Sequence, residues 1–219
     1  YFYENVLESH GQHRRWKWHY CPCCPTNIAR LLASLGSYFY SSKGDALAVH
    51  LYAANTAEVS VGGQTVKLTQ RTNYPWDGDI ALAVEPAQPA ELTLRLRIPG
   101  WCRTASVSVN GEAVRTDAAQ KGYLAIQRRW QAGDVVQLHF DMPVERLYAH
   151  PEVSEDAGKV SLKRGPVVYC VEQADTGFSP QRLVLLTGSA ITAEFDSAAL
   201  DVPRGAMSLN LSFANGSSD

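Results

Sequence analysis

Three of the chain's five cysteines fall in one short run, Cys21-Pro22-Cys23-Cys24-Pro25. A thiolate is a strong nucleophile and, as a soft donor, a good ligand for zinc, which usually takes four ligands. Adjacent cysteines reach one ion only where the backbone bends sharply, and Pro22 and Pro25 restrict the bend to a few shapes. Cys23 and Cys24 are therefore candidate metal ligands, nucleophiles, or both in turn. The competing reading is a set of buried, inert thiols, since free cysteine is commonly buried. Cys21 is assigned no role.

The element that must position these thiols follows at once. Pro25 suits the first turn of a helix, where its missing N–H has no intrahelical partner to lose. Apolar side chains then recur at Ile28, Leu31, Leu32, Leu35 and Phe39, the offsets of one buried helix face. The pattern predicts a helix from about Pro25 to Tyr40, with Cys23 and Cys24 just before or at its N-terminus. The partial positive charge there favours a thiolate over a thiol. Ser41-Ser42-Lys43-Gly44-Asp45 ends the helix with turn chemistry.

Other chemistry-bearing residues carry blander readings. Glu4 and Glu8 lie near the cysteines and read as surface or capping carboxylates. His10, His13 and His19 do not match a Cys/His zinc-finger spacing and read as loop histidines. Trp16 and Trp18 could stack on a sugar face or pack beneath a loop. Asn73-Tyr74-Pro75-Trp76 and Pro99-Gly100-Trp101 suggest either a carbohydrate-binding surface or aromatic plugs between domains. Cys102 and Cys170 read as buried free thiols.

From Ala46 the period changes from helix to strand. Ala46–Tyr52, Glu58–Val61, Gln64–Leu68, Asp79–Val84, Glu91–Ile98, Ser106–Val109, Glu112–Val114, Tyr123–Ile126 and Asp134–Phe140 read as strands. Gly62-Gly63 and Asn110-Gly111 are two-residue hairpin signals. Many short strands between polar turns argue for a β-sandwich. An irregular stretch after Pro143 closes it. A second β region from near residue 150 has runs at Lys159–Lys163, Val167–Glu172, Arg182–Leu186 and Ser208–Phe213, too few to close a second sandwich alone.

A chain of 219 residues holds one or two domains, and 45% hydrophobic with 19% charged residues is ordinary for a globular protein. The net charge of −2 and the short basic clusters at Arg14-Arg15 and Arg128-Arg129 argue against nucleic acid. No stretch approaches the ~20 apolar residues of a membrane-spanning helix. The odd cysteine count and the adjacent pair point to metal-protected thiols or to a reducing, cytoplasmic compartment. Compartment and oligomeric state stay open, and a homo-oligomer is allowed. The chain starts inside a patterned segment and reads as a piece of a longer protein.

The run Trp18-His19-Tyr20-Cys21-Pro22-Cys23-Cys24-Pro25-Thr26-Asn27-Ile28-Ala29-Arg30 resembles the W-x-x-C-x-C-C-P-x-N-x-x-R signature of glycoside hydrolase family 127, the β-L-arabinofuranosidase-like family. Tyr3-Glu4-Asn5-Val6-Leu7-Glu8 is similar to its Y-x-N-P-L-E segment, with Val6 in place of proline. Thr72–Gly78, Arg97–Trp101, Val109–Gly111, Gly122-Tyr123, Trp130 with Gly133-Asp134, and Lys163–Tyr169 are similar to its sandwich segments in the same order. The resemblance implies a mainly β chain, with β-sandwich domains preceded by the last helical piece of an (α/α)6 barrel. Residues 1–43 would be the end of that barrel, 44–145 a β-sandwich, and 146–219 a second, incomplete sandwich. It implies Cys23 as nucleophile and zinc ligand, Cys24 as zinc ligand, and Tyr3 as an aromatic facing the sugar. The acid/base Glu and the other two zinc ligands would lie upstream. The implied partner is a plant-derived L-arabinofuranosyl oligosaccharide or glycoconjugate, cleaved at its non-reducing end with retention. The alternatives are a non-catalytic β-sandwich module, carbohydrate-binding or structural, and a structural zinc site.

Overall fold

The structure is a computed structural model and describes residues 23–171, 176–196, 206–211 and 213–215. It is mainly β, with one α-helix, α1 (Cys23–Ser34), among the described residues. The chain divides into two compact units, Ala29–Pro143 and one that contains Val144–Asp219.

The helix starts where the cysteines and Pro25 place it but ends sooner than its apolar pattern suggests. Ser34 Oγ donates to Arg30 O at 3.0 Å and Leu31 O at 3.2 Å, and Ser37 Oγ donates to Ser34 O at 2.7 Å. Hydroxyls thus occupy carbonyls at the helix end, and Gly36 disfavours further helix by about 1 kcal/mol. A 3-10 turn, Leu35–Tyr38, leads into strand β1 (Tyr40–Lys43), in place of the expected helix end and turn. A second expectation also changes. Ile28, Leu31, Leu32 and Leu35 do form one stripe, but they remain 58%, 51%, 65% and 37% exposed, and no residue of α1 is buried.

The unit Ala29–Pro143 is a two-sheet sandwich. Its further strands are β2 (Ala46–Val49), β3 (Asn55–Val61), β4 (Gln64–Thr72), β5 (Asp79–Pro86), β6 (Ala90–Arg97), β7 (Ala105–Val109), β8 (Glu112–Val114), β9 (Tyr123–Trp130) and β10 (Asp134–Phe140). One sheet has the order β1-β2-β6-β9 and the other β3-β4-β5-β10-β7-β8. All neighbours are antiparallel except β2 and β6, which run parallel with Ala46 opposite Thr93 and Val49 opposite Leu96.

Alternation builds the core. Leu92, Leu94 and Leu96 of β6 point inward between outward Glu91, Thr93, Arg95 and Arg97. They meet Leu47, Val49, Leu124, Ile126 and Trp130 of their own sheet and Val66, Leu68, Ile80, Leu82, Val136, Leu138 and Phe140 of the other. Burying each such side chain contributes roughly 1.5–3 kcal/mol. Trp130 is fully buried, and its indole N–H donates to Leu92 O at 3.1 Å. The strand β9 therefore continues through Trp130, beyond the Ile126 that alternation suggested.

Two features lock the loops. The Asn110-Gly111 turn has positive φ at both residues, 52° and 85°, as the hairpin signal requires. Asn110 Nδ2 donates to buried Asp134 Oδ1 at 2.8 Å, while its Oδ1 accepts Val135 N–H at 2.9 Å. Gly78 is a close approach: a Cβ there would lie 2.0 Å from Phe140 O.

In the second unit, β11 (Val144–Leu147), β12 (Ser161–Arg164) and β13 (Val167–Tyr169) form a three-stranded antiparallel sheet. Its first strand lies in the stretch after Pro143 that reads as irregular. Lys163 and Glu145 pair across β11 and β12 at 2.8 Å. Two two-stranded pieces follow: β14 (Leu183–Leu185) with β17 (Phe213–Asn215), and β15 (Ile191–Asp196) with β16 (Ala206–Leu211). No helix of the described residues is long and apolar enough to cross a membrane.

Candidate functional site

Cys23 and Cys24 are the first two residues of α1, and Pro25 is the third, where it forfeits no hydrogen bond. Both thiols are exposed. Their Sγ atoms lie 3.8 Å apart, far beyond a disulfide bond of about 2.05 Å. That separation matches a metal's bite: two Zn–S bonds of about 2.3 Å at the tetrahedral angle put their sulfurs ~3.8 Å apart. The pair thus fits two corners of a zinc site. Among the described residues no group of three His, Cys, Asp or Glu side chains converges.

The peptide joining the two cysteines is held from the next turn. Thr26 Oγ1 donates to Cys23 O at 3.0 Å and Asn27 Nδ2 donates to the same oxygen at 2.9 Å. Two polar side chains on one carbonyl fix the orientation of the Cys23–Cys24 peptide, and with it the backbone from which the two thiols project. Sequence reading gave Thr26 and Asn27 no role. The available signal was a Thr-Asn pair directly behind a helix-opening proline, where such side chains bond to nearby backbone. Tyr3, Glu4, Glu8, His10, His13, Trp16, Trp18, His19 and Cys21 lie outside the described residues.

Tyr74 and Trp101 of the aromatic motifs pack against the sandwich core. Tyr74 and Trp101 stack with ring centroids 6.5 Å apart and planes 18° apart. Phe140 meets Tyr52, Tyr74 and Trp101 edge-on at 5.4, 6.4 and 5.9 Å. Rings stacked on one another offer that much less face to a sugar. Burial raises the hydroxyl pKa of Tyr74, and raises that of Tyr52 strongly; Tyr52 OH donates to Arg97 O at 2.7 Å. The two remaining thiols differ from expectation. Cys102 is half-buried, which raises its pKa, and donates to Thr104 O at 3.1 Å, while Cys170 is exposed. Cys170 stands in the loop after β13, which ends at Tyr169, so nothing in the strand's alternation turns it inward.

The chain is similar to known proteins over most of its length. Residues 46–142 match the family model described as "Beta-L-arabinofuranosidase, GH127 middle domain", and residues 144–208 match "Glycoside hydrolase family 127 C-terminal domain". A "Non-reducing end beta-L-arabinofuranosidase" from Bifidobacterium longum subsp. longum is 38% identical over 194 residues, covering 80% of this chain and 29% of that protein. A crystal structure of a family 127 β-L-arabinofuranosidase from Geobacillus stearothermophilus T6 is similar at a TM-score of 0.82 and 48% identity, over 88% of this chain and 30% of that one. A further structure described as a family 127 β-arabinofuranosidase has a TM-score of 0.88 at 36% identity, over 98% of this chain and 36% of that one. The chain thus spans about a third of the length of these relatives.

Proposed function

Because this chain belongs to glycoside hydrolase family 127 and carries its middle and C-terminal domains, we propose that it is the C-terminal part of a retaining glycosidase that removes non-reducing-end β-L-arabinofuranosyl residues with Cys23 as nucleophile. The observation that carries the reading is the Cys23–Cys24 pair at the head of α1, 3.8 Å between sulfurs and oriented by Thr26 and Asn27. It stands directly before domains shared with proteins described as β-L-arabinofuranosidases. Residues 1–43 are then the end of an (α/α)6 barrel, 44–145 a first sandwich and 146–219 part of a second.

In the first step the Cys23 thiolate attacks the anomeric carbon from the face opposite the leaving group. The C1–S bond forms, the glycosidic C1–O bond breaks, and the aglycone oxygen takes a proton from an acid outside the described residues. In the second step water attacks C1, gives its proton to the same group, and the C1–S bond breaks to regenerate the thiolate. Two displacements at one carbon restore its configuration. Thr26 and Asn27 hold the Cys23 peptide, and so keep the backbone that carries the nucleophile in place through both steps. Cys23 and Cys24 would supply two donors to a zinc ion whose other ligands lie upstream, and such an ion would keep both thiols deprotonated and ease the departure of the sulfur. The substrate class is an L-arabinofuranosyl oligosaccharide or glycoconjugate of plant origin.

The test uses the intact parent protein. Cys23→Ala should abolish hydrolysis of 4-nitrophenyl β-L-arabinofuranoside, by about a thousandfold or more, without changing the melting temperature by more than a few degrees. Rapid quenching of the wild type should leave one pentosyl unit on Cys23 by peptide mass spectrometry. Cys24→Ser should lower the zinc content from one ion per chain. An active Cys23→Ala protein would remove the nucleophile assignment. The second reading, a non-catalytic sandwich module, is favoured by the self-contained core of Ala29–Pro143, and describes this chain when separated from its barrel.

A further inference from the structure

The outward face of the sheet β1-β2-β6-β9 carries a cationic cluster to which every strand or its end contributes. Across it run Ser41 from β1, His50 just past β2, Arg95 and Arg97 from β6, and Tyr123 from β9. His50 Nδ1 shares a hydrogen bond of 2.6 Å with Tyr123 OH, and His50 Nε2 one of 2.7 Å with Ser41 Oγ. The Arg95 guanidinium lies 5.6 Å from the centre of the Tyr123 ring, and Arg97 Nη1 donates to His50 O at 3.4 Å. Arg95 and Arg97 stand on one face of one strand, about 7 Å apart along it, and both are exposed.

Neither guanidinium has a carboxylate partner among the described residues. The nearest acid on the same face of β6 is Glu91, about 13 Å from Arg95 along the strand, and Arg129 stands opposite it. Lys43, outward on β1, adds a third cation. Between these groups the floor is made of small side chains: Ala48 is opposite both Ser41 and Arg95, Ala125 is opposite Arg95, and Ala46 is opposite Lys43. The face therefore combines small residues beside the arginines, two forked cationic donors able to bind a carboxylate in bidentate fashion, and a preset His–Tyr–Ser row of hydroxyl and ring-nitrogen groups.

We infer that this sheet face is an accessory binding site for the carboxylate of a uronic acid residue in an acidic polysaccharide. The choice of occupant rests on the proposed glycosidase reading, because a carbohydrate-acting protein meets carboxylates chiefly as uronates. Arg95 and Arg97 bind the carboxylate. Tyr123, His50 and Ser41 hold the rim, and the alanine floor admits the sugar ring.

The test is affinity electrophoresis of the intact parent protein in gels containing polygalacturonate or neutral arabinan. Polygalacturonate should retard the wild type and added salt should weaken the effect. Arg97→Gln should raise the apparent dissociation constant about tenfold, and Arg95→Gln/Arg97→Gln should remove retardation. Both variants should keep wild-type turnover of 4-nitrophenyl β-L-arabinofuranoside, since the accessory site takes no part in the displacement at C1. Arg97→Gln guards against loss of folding in the double variant, because Arg97 makes a single long side-chain hydrogen bond. Equal mobility in both gels, retardation that survives in the double variant, or competition by inorganic sulfate as strong as by galacturonate at matched ionic strength would each overturn the inference. A parent protein with no arabinofuranosidase activity that still binds polygalacturonate through these arginines would sink the catalytic reading and leave this one standing.

Discussion

At Gly78 a single hydrogen atom separates a tolerated backbone from an impossible one. The added carbon of Gly78→Ala would lie 2.0 Å from Phe140 O, and Gly78 O already accepts the Phe140 N–H at 3.0 Å, so neither strand can retreat without losing that bond. Gly78→Ala should cost about 3 kcal/mol or more, as overpacking against backbone does; urea unfolding checks it, and an unchanged midpoint refutes the close approach. The residue follows the Asn73–Trp76 motif, whose aromatic members, read as sequence, suggest either a carbohydrate-binding surface or plugs between domains. Tyr74 instead spends its ring on Trp101 and Phe140. The place of the cysteine pair at a helix start was legible because Pro25 and the apolar period behind it mark that end. The Thr26 and Asn27 contacts were not, because a Thr or Asn in a first helical turn has several backbone partners within reach. Gln70 was not legible either: its Nε2 donates to Tyr40 OH at 2.7 Å and to Leu51 O at 3.1 Å, partners far apart in sequence.

Elements show the same division. Strands with inward leucines and valines at every second position, such as β6 and β10, could be read directly, as could the hairpins whose two turn residues demand positive φ. Strand β1 could not: Tyr40-Ser41-Ser42-Lys43 reads as a helix end and turn, and only its pairing with Ala46–Val49 makes it extended. β11 has only four residues, and tertiary pairing rather than propensity defines it. The contrast between α1 and β6 is open to measurement. Leu31→Glu with Leu32→Glu on the exposed stripe should change the stability of this chain by no more than about 0.5 kcal/mol, whereas Leu94→Ala in the core should cost about 2–5 kcal/mol. Chemical denaturation of both variants decides it. A large loss from the helix pair would mean that the stripe is covered in solution.

Over the whole molecule, buried hydroxyls tie stability to alkaline pH. Burial holds Tyr40, Tyr52 and Tyr74 above the ordinary tyrosine value of 10.0. When the chain unfolds, these groups ionise near that ordinary value, while the folded protein keeps their protons. Their contribution is therefore complete below pH 10.0 and is lost as the pH climbs past it. The melting temperature should stay level between about pH 8 and 9 and drop between about pH 10 and 11. Tyr52→Phe should soften the drop, and a level profile to pH 11 would contradict the burial.

The lone parallel pair in the sandwich has a consequence for how the chain acquires its shape. β2 and β6 cannot be joined by a hairpin, and the strands between them, β3, β4 and β5, all belong to the opposite sheet. The β1–β2 hairpin therefore has no second neighbour until three further strands have been laid across the fold and Thr93 arrives opposite Ala46. Closing so long a loop is slow, because its entropy is lost before any contact repays it. On the ribosome, that hairpin emerges with Leu47 and Val49 bare and one strand edge open, and stays so until β6 has been synthesised. The first two strands of the sandwich thus wait for the sixth, and through that interval the open edge of the hairpin can pair with another chain.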